Sequence, residues 1–194
     1  MMLVVFIDFK SAACLLAIDP IVGLADRYAV PIDWRAYSTS ERDIPDSGAD
    51  AAVIESHRLV REQSRRAVDE LYANARGIEL NHPPMPGSCD LALGALALIR
   101  SDRLPFIRAA FDAYWHGHAD LNAAETVQSL IEQSGAECSS DLAQAARAFE
   151  EAQTEAEAAG VVEAPAILVE GQLFIGRQHL PWVEELLKGA APPD

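Results

Sequence analysis

The sequence predicts an α/β fold: an open sheet begun near the N-terminus, finished near the C-terminus, and split by a long helical insertion. Three observations lead there. Residues 3–9, Leu-Val-Val-Phe-Ile-Asp-Phe, form a short β-branched and aromatic run of the kind found in central strands. Residues 31–37 alternate Ile32, Trp34 and Ala36 against Asp33, Arg35 and Tyr37, a half-buried strand pattern. Strand character then returns only after Gly160, at residues 166–169 and 173–175, with Glu170-Gly171 between them as a hairpin turn.

Taken in order, Ser11 follows the first strand and can cap a helix over residues 12–28, which is rich in Ala and Leu and carries Pro20 as a kink. Strand, helix and strand within 37 residues make a βαβ unit. Residues 38–48 are polar, contain Pro45 and Gly48, and read as a loop. Val53, His57, Val60, Ser64, Val68 and Leu71 then recur at helical spacing until Gly77. His82-Pro-Pro-Met-Pro-Gly87 is a rigid connector, and residues 91–100 form a short buried helix. Phe106, Ile107, Ala110, Phe111, Tyr114 and Trp115 share one apolar face, closed by Gly117, and read as core. Asn122 and Glu125 resemble a capping box at the start of a helix that ends at Gly135. Asp141 opens an Ala- and Glu-rich helix ending at Gly160, with a solvated acidic face over residues 150–157. The last helix covers residues 178–188 and stops at Gly189, before a frayed tail. Residues 1–40 and 158–194 are thereby expected to form one discontinuous domain, with 41–157 as an inserted helical domain.

The 194 residues suffice for one domain with a proper core; half are hydrophobic and 23% charged. A formal net charge of -15 works against nucleic-acid phosphates and anionic membrane surfaces, so neither is expected as a partner. Cys14, Cys89 and Cys138 are odd in number, far apart and form no C-x-x-C, which favours a reducing compartment over a disulfide framework. Residues 3–9 lack a preceding basic segment and are interrupted by Asp8 and Lys10, and no apolar run nears the ~20 residues of a membrane span. A cytoplasmic protein is the expectation.

The order βαβ, helical block, ββα is the thioredoxin-like layout with an insertion. In that layout a reactive group sits at the N-terminus of the first helix, where unpaired N–H groups and the helix dipole stabilise an anion. Ser11-Ala12-Ala13-Cys14 occupies that place. Opposite it should lie Val162-Glu163-Ala164-Pro165. A proline directly before a central strand lacks a ladder N–H and is placed to adopt the cis form, leaving the Ala164 backbone open to pair with a peptide-like thiol ligand.

Phe6-Ile-Asp-Phe-Lys-Ser11, Asp19-Pro20 and Asp33-Trp34-Arg35, with Gly160-Val-Val-Glu-Ala-Pro165, Glu170-Gly-Gln-Leu-Phe174 and residues 176–180, resemble 2-hydroxychromene-2-carboxylate isomerases and kappa-class glutathione transferases, within the DsbA-like group. Gly77-Ile-Glu-Leu80, the Pro-rich connector and Phe111-Asp-Ala-Tyr-Trp115 resemble that family's helical domain. The resemblance implies a glutathione-dependent isomerase or transferase acting on a conjugated aromatic small molecule, with glutathione as cofactor and a homodimeric assembly. It makes Ser11 the catalytic hydroxyl that hydrogen-bonds the glutathione sulfur and lowers its pKa. It places Ala164 and Pro165 on the glutathione backbone, Gln178 and His179 at its γ-glutamyl end, and Asn81 and Ser88 on the insertion side of the site. The chain departs from the family pattern at Ala12 and Ala13, at Glu163, at Gln178 and at Ser88.

Two other readings of the same scaffold stay open. A DsbA-like thiol oxidoreductase without C-x-x-C would have to work through Cys14 alone, and a lone thiol cannot cycle an intramolecular disulfide. A non-catalytic protein could bind a different small molecule in a pocket remodelled by Ala12, Ala13, Glu163 and Gln178. Ser11 reads equally well as only a helix cap, worth about 1 kcal/mol, and Cys14 as a small buried helix residue. His116-Gly-His118 lacks further ligands and reads as a solvated helix end, so no metal is expected.

Overall fold

The computed structural model describes residues 1–39, 51–83, 87–138 and 141–190. Pro45 and Gly48 of the polar loop, residues 84–86 of the connector and the C-terminal tail from 191 lie outside the described residues. The chain divides into two compact units, residues 1–39 with 81–194, and residues 40–80.

The first unit holds a four-stranded sheet in the order β2-β1-β3-β4. It comprises β1 (Leu3–Ile7), β2 (Ile32–Ala36), β3 (Ala166–Val169) and β4 (Gln172–Ile175). β1 runs parallel to β2, with Leu3 beside Ile32 and Ile7 beside Ala36. It runs antiparallel to β3, with Phe6 beside Ala166, and β3 returns antiparallel into β4. Leu3, Val5, Phe6 and Ile7 are buried, as a strand covered on both faces requires. In the edge strand β2, Trp34 and Ala36 are buried while Asp33 and Arg35 are half-exposed. Glu170 and Gly171 both take positive φ, 48° and 74°, which is the backbone a two-residue hairpin demands.

α1 (Ala12–Tyr28) starts at Ser11, whose side chain accepts the Cys14 N–H, and runs through Pro20 as one helix. It ends at Ala29 in the left-handed conformation, φ 51°. In the second unit α2 (Ala51–Ala75) ends in a left-handed Gly77, and Ile78 N–H returns to the Ala73 carbonyl at 2.9 Å. The other helices of the first unit are α3 (Asp90–Leu98), α4 (Leu104–Trp115), α5 (Ala124–Ser134), α6 (Ala145–Ala158) and α7 (Leu180–Ala190). Short 3₁₀ turns at Leu142–Gln144 and Arg177–His179 precede α6 and α7.

Every helix from α2 to α6 falls between β2 and β3, so the fold is the thioredoxin-like one with a long helical insertion. Three local expectations are corrected. β1 ends at Ile7, and Asp8 and Phe9 are buried beyond it. The Asn122 side chain makes no cap on α5; its Oδ1 accepts the Leu91 N–H at 3.1 Å, tying the α4–α5 connection to the start of α3. Gly189 lies within α7, because a glycine in a last turn weakens a helix without ending it.

The apolar face read on α4 is core. Phe9 meets Phe111 edge-to-face at 5.1 Å and Phe106 at 6.2 Å, and its carbonyl accepts Trp115 Nε1–H at 3.0 Å. These contacts fix the turn between β1 and α1. Arg103 secures the other end of α4, donating to Asp33 Oδ1 at 2.8 Å, to the Trp34 carbonyl at 2.7 Å and to the Ile99 carbonyl at 3.1 Å. α3 presses on α6 at Gly94, where any Cβ would strike the Ala145 carbonyl.

Candidate active site

The sheet register gathers four chain ends at one edge: those of β1, β2 and β4 as they finish, and of β3 as it starts. Residues 8–11, 37–39, 164–165 and 176–179 therefore meet there. Ser11 caps α1 because its extended backbone, φ -88° and ψ 115°, turns Oγ toward the Cys14 N–H at 3.2 Å. The Ser11 hydroxyl donates to the Ala164 carbonyl at 3.4 Å, joining the helix start to the loop before β3. The Ala164–Pro165 peptide is cis. The Ala12 and Ala13 N–H groups take no hydrogen-bond partner among the described residues, so the α1 N-terminus presents two donors beside Ser11.

Beneath this lies Asp8, 2% exposed. Its Oδ1 accepts the Lys10 N–H and its Oδ2 the Thr39 N–H, each at 3.0 Å. Burial raises the Asp8 carboxyl above its usual range, against the opposing pull of the Lys10 ammonium and the two N–H groups. Lys10 Nζ donates to Ser38 Oγ at 3.1 Å. Gln153 of α6 grips the Ser38 backbone twice, accepting its N–H at 2.9 Å and donating to its carbonyl at 3.2 Å. Ser38 and Thr39, directly after β2, are thus held from three sides, and Thr39 reaches the Ala164 amide, whose N–H donates to Thr39 Oγ1 at 3.1 Å.

That contact corrects one expectation. The Ala164 backbone is not open: Thr39 takes its N–H and Ser11 donates to its carbonyl. The Pro165 carbonyl is occupied as well, by the Gly176 N–H at 2.7 Å. Thr39 is a site residue that the sequence does not announce, because a threonine in a polar loop carries no signal of its partner. Asp8 is another: it reads as an interruption of an apolar run, although an acid inside such a run is the pattern a buried carboxylate leaves.

The remaining site residues fall as follows. Cys14 is fully buried, and its Sγ accepts the Asp8 N–H at 3.4 Å. Gln178 is exposed, and its amide donates to the Ile175 carbonyl at 3.2 Å. His179 Nδ1 lies 2.6 Å from the same carbonyl, which requires a proton on that nitrogen. Ser88 Oγ accepts the Asp90 N–H at 3.2 Å, just ahead of α3, whose N-cap is Cys89. The Asn81 carbonyl pairs with His118 Nε2 at 3.2 Å. Among the described residues neither Asn81 nor Ser88 hydrogen-bonds Ser11, Thr39 or Ala164. His116 pairs with Asp112 at 3.0 Å, and the described residues contain no group of three or more metal-ligating side chains. None of the described helices is long and apolar enough to cross a membrane.

A βαβ unit and a ββα unit sharing one sheet, with a capped helix start facing a cis-proline loop, define a thioredoxin-fold protein of the DsbA type. Residues 2–188 match the DSBA-like thioredoxin domain family, and the chain belongs to that family. Among solved structures it is similar to a 2-hydroxychromene-2-carboxylate isomerase, at 16% identity over 97% of this chain and 95% of that one, with a TM-score of 0.73. It is similar to a DsbA oxidoreductase candidate from Streptomyces coelicolor, at 15% identity over 100% and 92% of the two chains, TM-score 0.67. A protein disulfide isomerase candidate from Nitrosomonas europaea aligns at 13% identity over 97% and 98%, TM-score 0.67. A search of curated proteins returns no match.

Proposed function

We propose that this chain is a glutathione-dependent isomerase or transferase acting on a conjugated aromatic small molecule, with Ser11 as the thiol-activating residue. The observation that carries the reading is the position of Ser11, with its hydroxyl at the start of a 17-residue helix and directed at the cis-proline loop. A hydroxyl donor, two unpartnered amides and the positive end of α1 suit a thiolate. Bound glutathione would supply a nucleophilic sulfur able to add to an electron-poor conjugated bond. Ser11 would turn its proton from the Ala164 carbonyl to that sulfur. The Ala12 and Ala13 N–H groups would bear on the same charge. Ala164 and Pro165 would line the ligand's peptide side, with Gln178 and His179 at the edge where β4 ends.

The oxidoreductase reading is weaker, because Cys14 is fully buried with its sulfur turned toward Asp8 and no second thiol accompanies it at the helix start. The test is a calorimetric titration of the reduced protein with glutathione, with Ser11→Ala in parallel. Binding that weakens about tenfold or more in the variant fits loss of a hydrogen bond to a charged sulfur. Equal binding by both proteins would remove Ser11 from its assigned role.

A further inference from the structure

Peptides dock beside a strand by exchanging N–H···O=C pairs with an unpaired backbone edge. In this protein the edge residue is Ala164, and its pairing groups are taken from within the chain: the N–H by Thr39 Oγ1 at 3.1 Å, the carbonyl by Ser11 Oγ at 3.4 Å. The two contacts differ in kind. Ser11 makes a long bond with a hydroxyl that can rotate to another acceptor. Thr39 is held in place: its own N–H is fixed on the buried Asp8 carboxylate, and the preceding Ser38 is gripped by Gln153 and Lys10.

We infer that Thr39 is a built-in occupant of the ligand-backbone subsite, whose hydroxyl stands where a peptide carbonyl would sit, and that it sets the affinity of the cleft for peptide thiols. The inference rests on the thiol-ligand reading above and adds a specificity determinant to it. A ligand with a peptide acceptor must displace the Thr39 hydroxyl from the Ala164 amide, so part of its hydrogen-bond energy is cancelled. A ligand lacking such an acceptor leaves Thr39 in place and loses nothing. Removing the hydroxyl while keeping the side-chain shape should therefore strengthen peptide binding, the opposite of what deleting an ordinary binding residue does.

The test compares wild type, Thr39→Val and Thr39→Ser by calorimetry against glutathione and against S-methylglutathione, which keeps the peptide and lacks the thiol. Amide exchange at Ala164 is followed by NMR in the same proteins. Thr39→Val is expected to bind both ligands about 3- to 10-fold more tightly than wild type, the scale of one net hydrogen bond. Thr39→Ser should match wild type. The Ala164 amide should exchange faster in unliganded Thr39→Val and regain protection when S-methylglutathione is added. Affinity in Thr39→Val no higher than in wild type overturns the inference, as does an Ala164 amide equally protected in both. Should Thr39→Val fold poorly, Thr39→Ala read by the same titrations and exchange measurement decides the matter on the same two outcomes. Failure of the thiol reading shows differently: Ser11→Ala leaves glutathione binding unchanged while S-methylglutathione still gains from Thr39→Val.

Discussion

Asp8 and Thr39 lie 31 residues apart in sequence and share a 3.0 Å hydrogen bond from the Thr39 amide to a carboxylate that is 2% exposed. One buried acid thereby joins the end of the central strand to the loop after its parallel neighbour, and both to the start of the first helix.

The pH dependence of stability should carry the mark of this acid. The Asp8 carboxyl is raised above its ordinary value of 3.8, so its contribution is fully present below that value and is lost as pH rises through the folded-state pKa. Urea midpoints of wild type and Asp8→Asn should be compared from about pH 4 to about pH 7. The wild type is expected to lose ground against the variant as pH rises. A difference moving in favour of wild type over that range would mean that Asp8 is held below its usual pKa.

Thiol accessibility separates the two enzymatic readings. Cys14 and Cys89 are fully buried, and burial, with the Asp8 charge nearby, pushes the Cys89 thiol up to about 12. Cys138 is half-exposed. A chromogenic disulfide reagent should react quickly with Cys138 in the native protein and with all three thiols only in denaturant. Rapid native labelling of Cys14 would bring the oxidoreductase reading back.

Gly94→Ala weighs two effects of opposite sign. Alanine improves helix propensity by about 1 kcal/mol, while overpacking costs about 1–3 kcal/mol. The obstructing group is the Ala145 carbonyl, a piece of backbone that cannot rotate aside, so the penalty should win. Denaturant unfolding is expected to show a net loss. A gain in stability would mean that α3 and α6 can part without cost.

Ala29 is an alanine in a left-handed C-cap, exposed, with φ 51°. Ala29→Gly relieves about 1–2 kcal/mol of backbone strain and gives back about 0.4–1 kcal/mol through the freer unfolded chain. A small rise in melting temperature is expected, and a fall would argue against the left-handed geometry.

The sheet was largely legible in the sequence. Both ends of α1 fall where expected, because Ser11 announces its cap and the strand pattern of β2 resumes soon after Tyr28. The hairpin is legible from Glu170-Gly171, since few dipeptides suit two consecutive positive φ values. What the sequence conceals depends on contacts between distant residues. Asn122 has the spacing of a capping box, but its oxygen is drawn to Leu91 across the fold. Gly189 reads as a stop, yet the helix continues through it to Ala190. Within the site, Ser11 and the Ala164–Pro165 loop are visible as a capping residue and a strand-edge proline. Thr39 is not, because its role comes from a partner 125 residues away.

The double grip of Gln153 on Ser38 bears on how far this protein could be trimmed. The sheet with α1 and α7 looks like a self-sufficient minimal scaffold, and a designer would be tempted to excise everything between β2 and β3. That excision would remove the side-chain amide that anchors the loop behind Thr39. Strand pairing would survive the surgery while the hydrogen bond from Ala164 to Thr39 lost its support. The helix that carries Gln153 is better regarded as a mould for the site than as an ornament on an older fold.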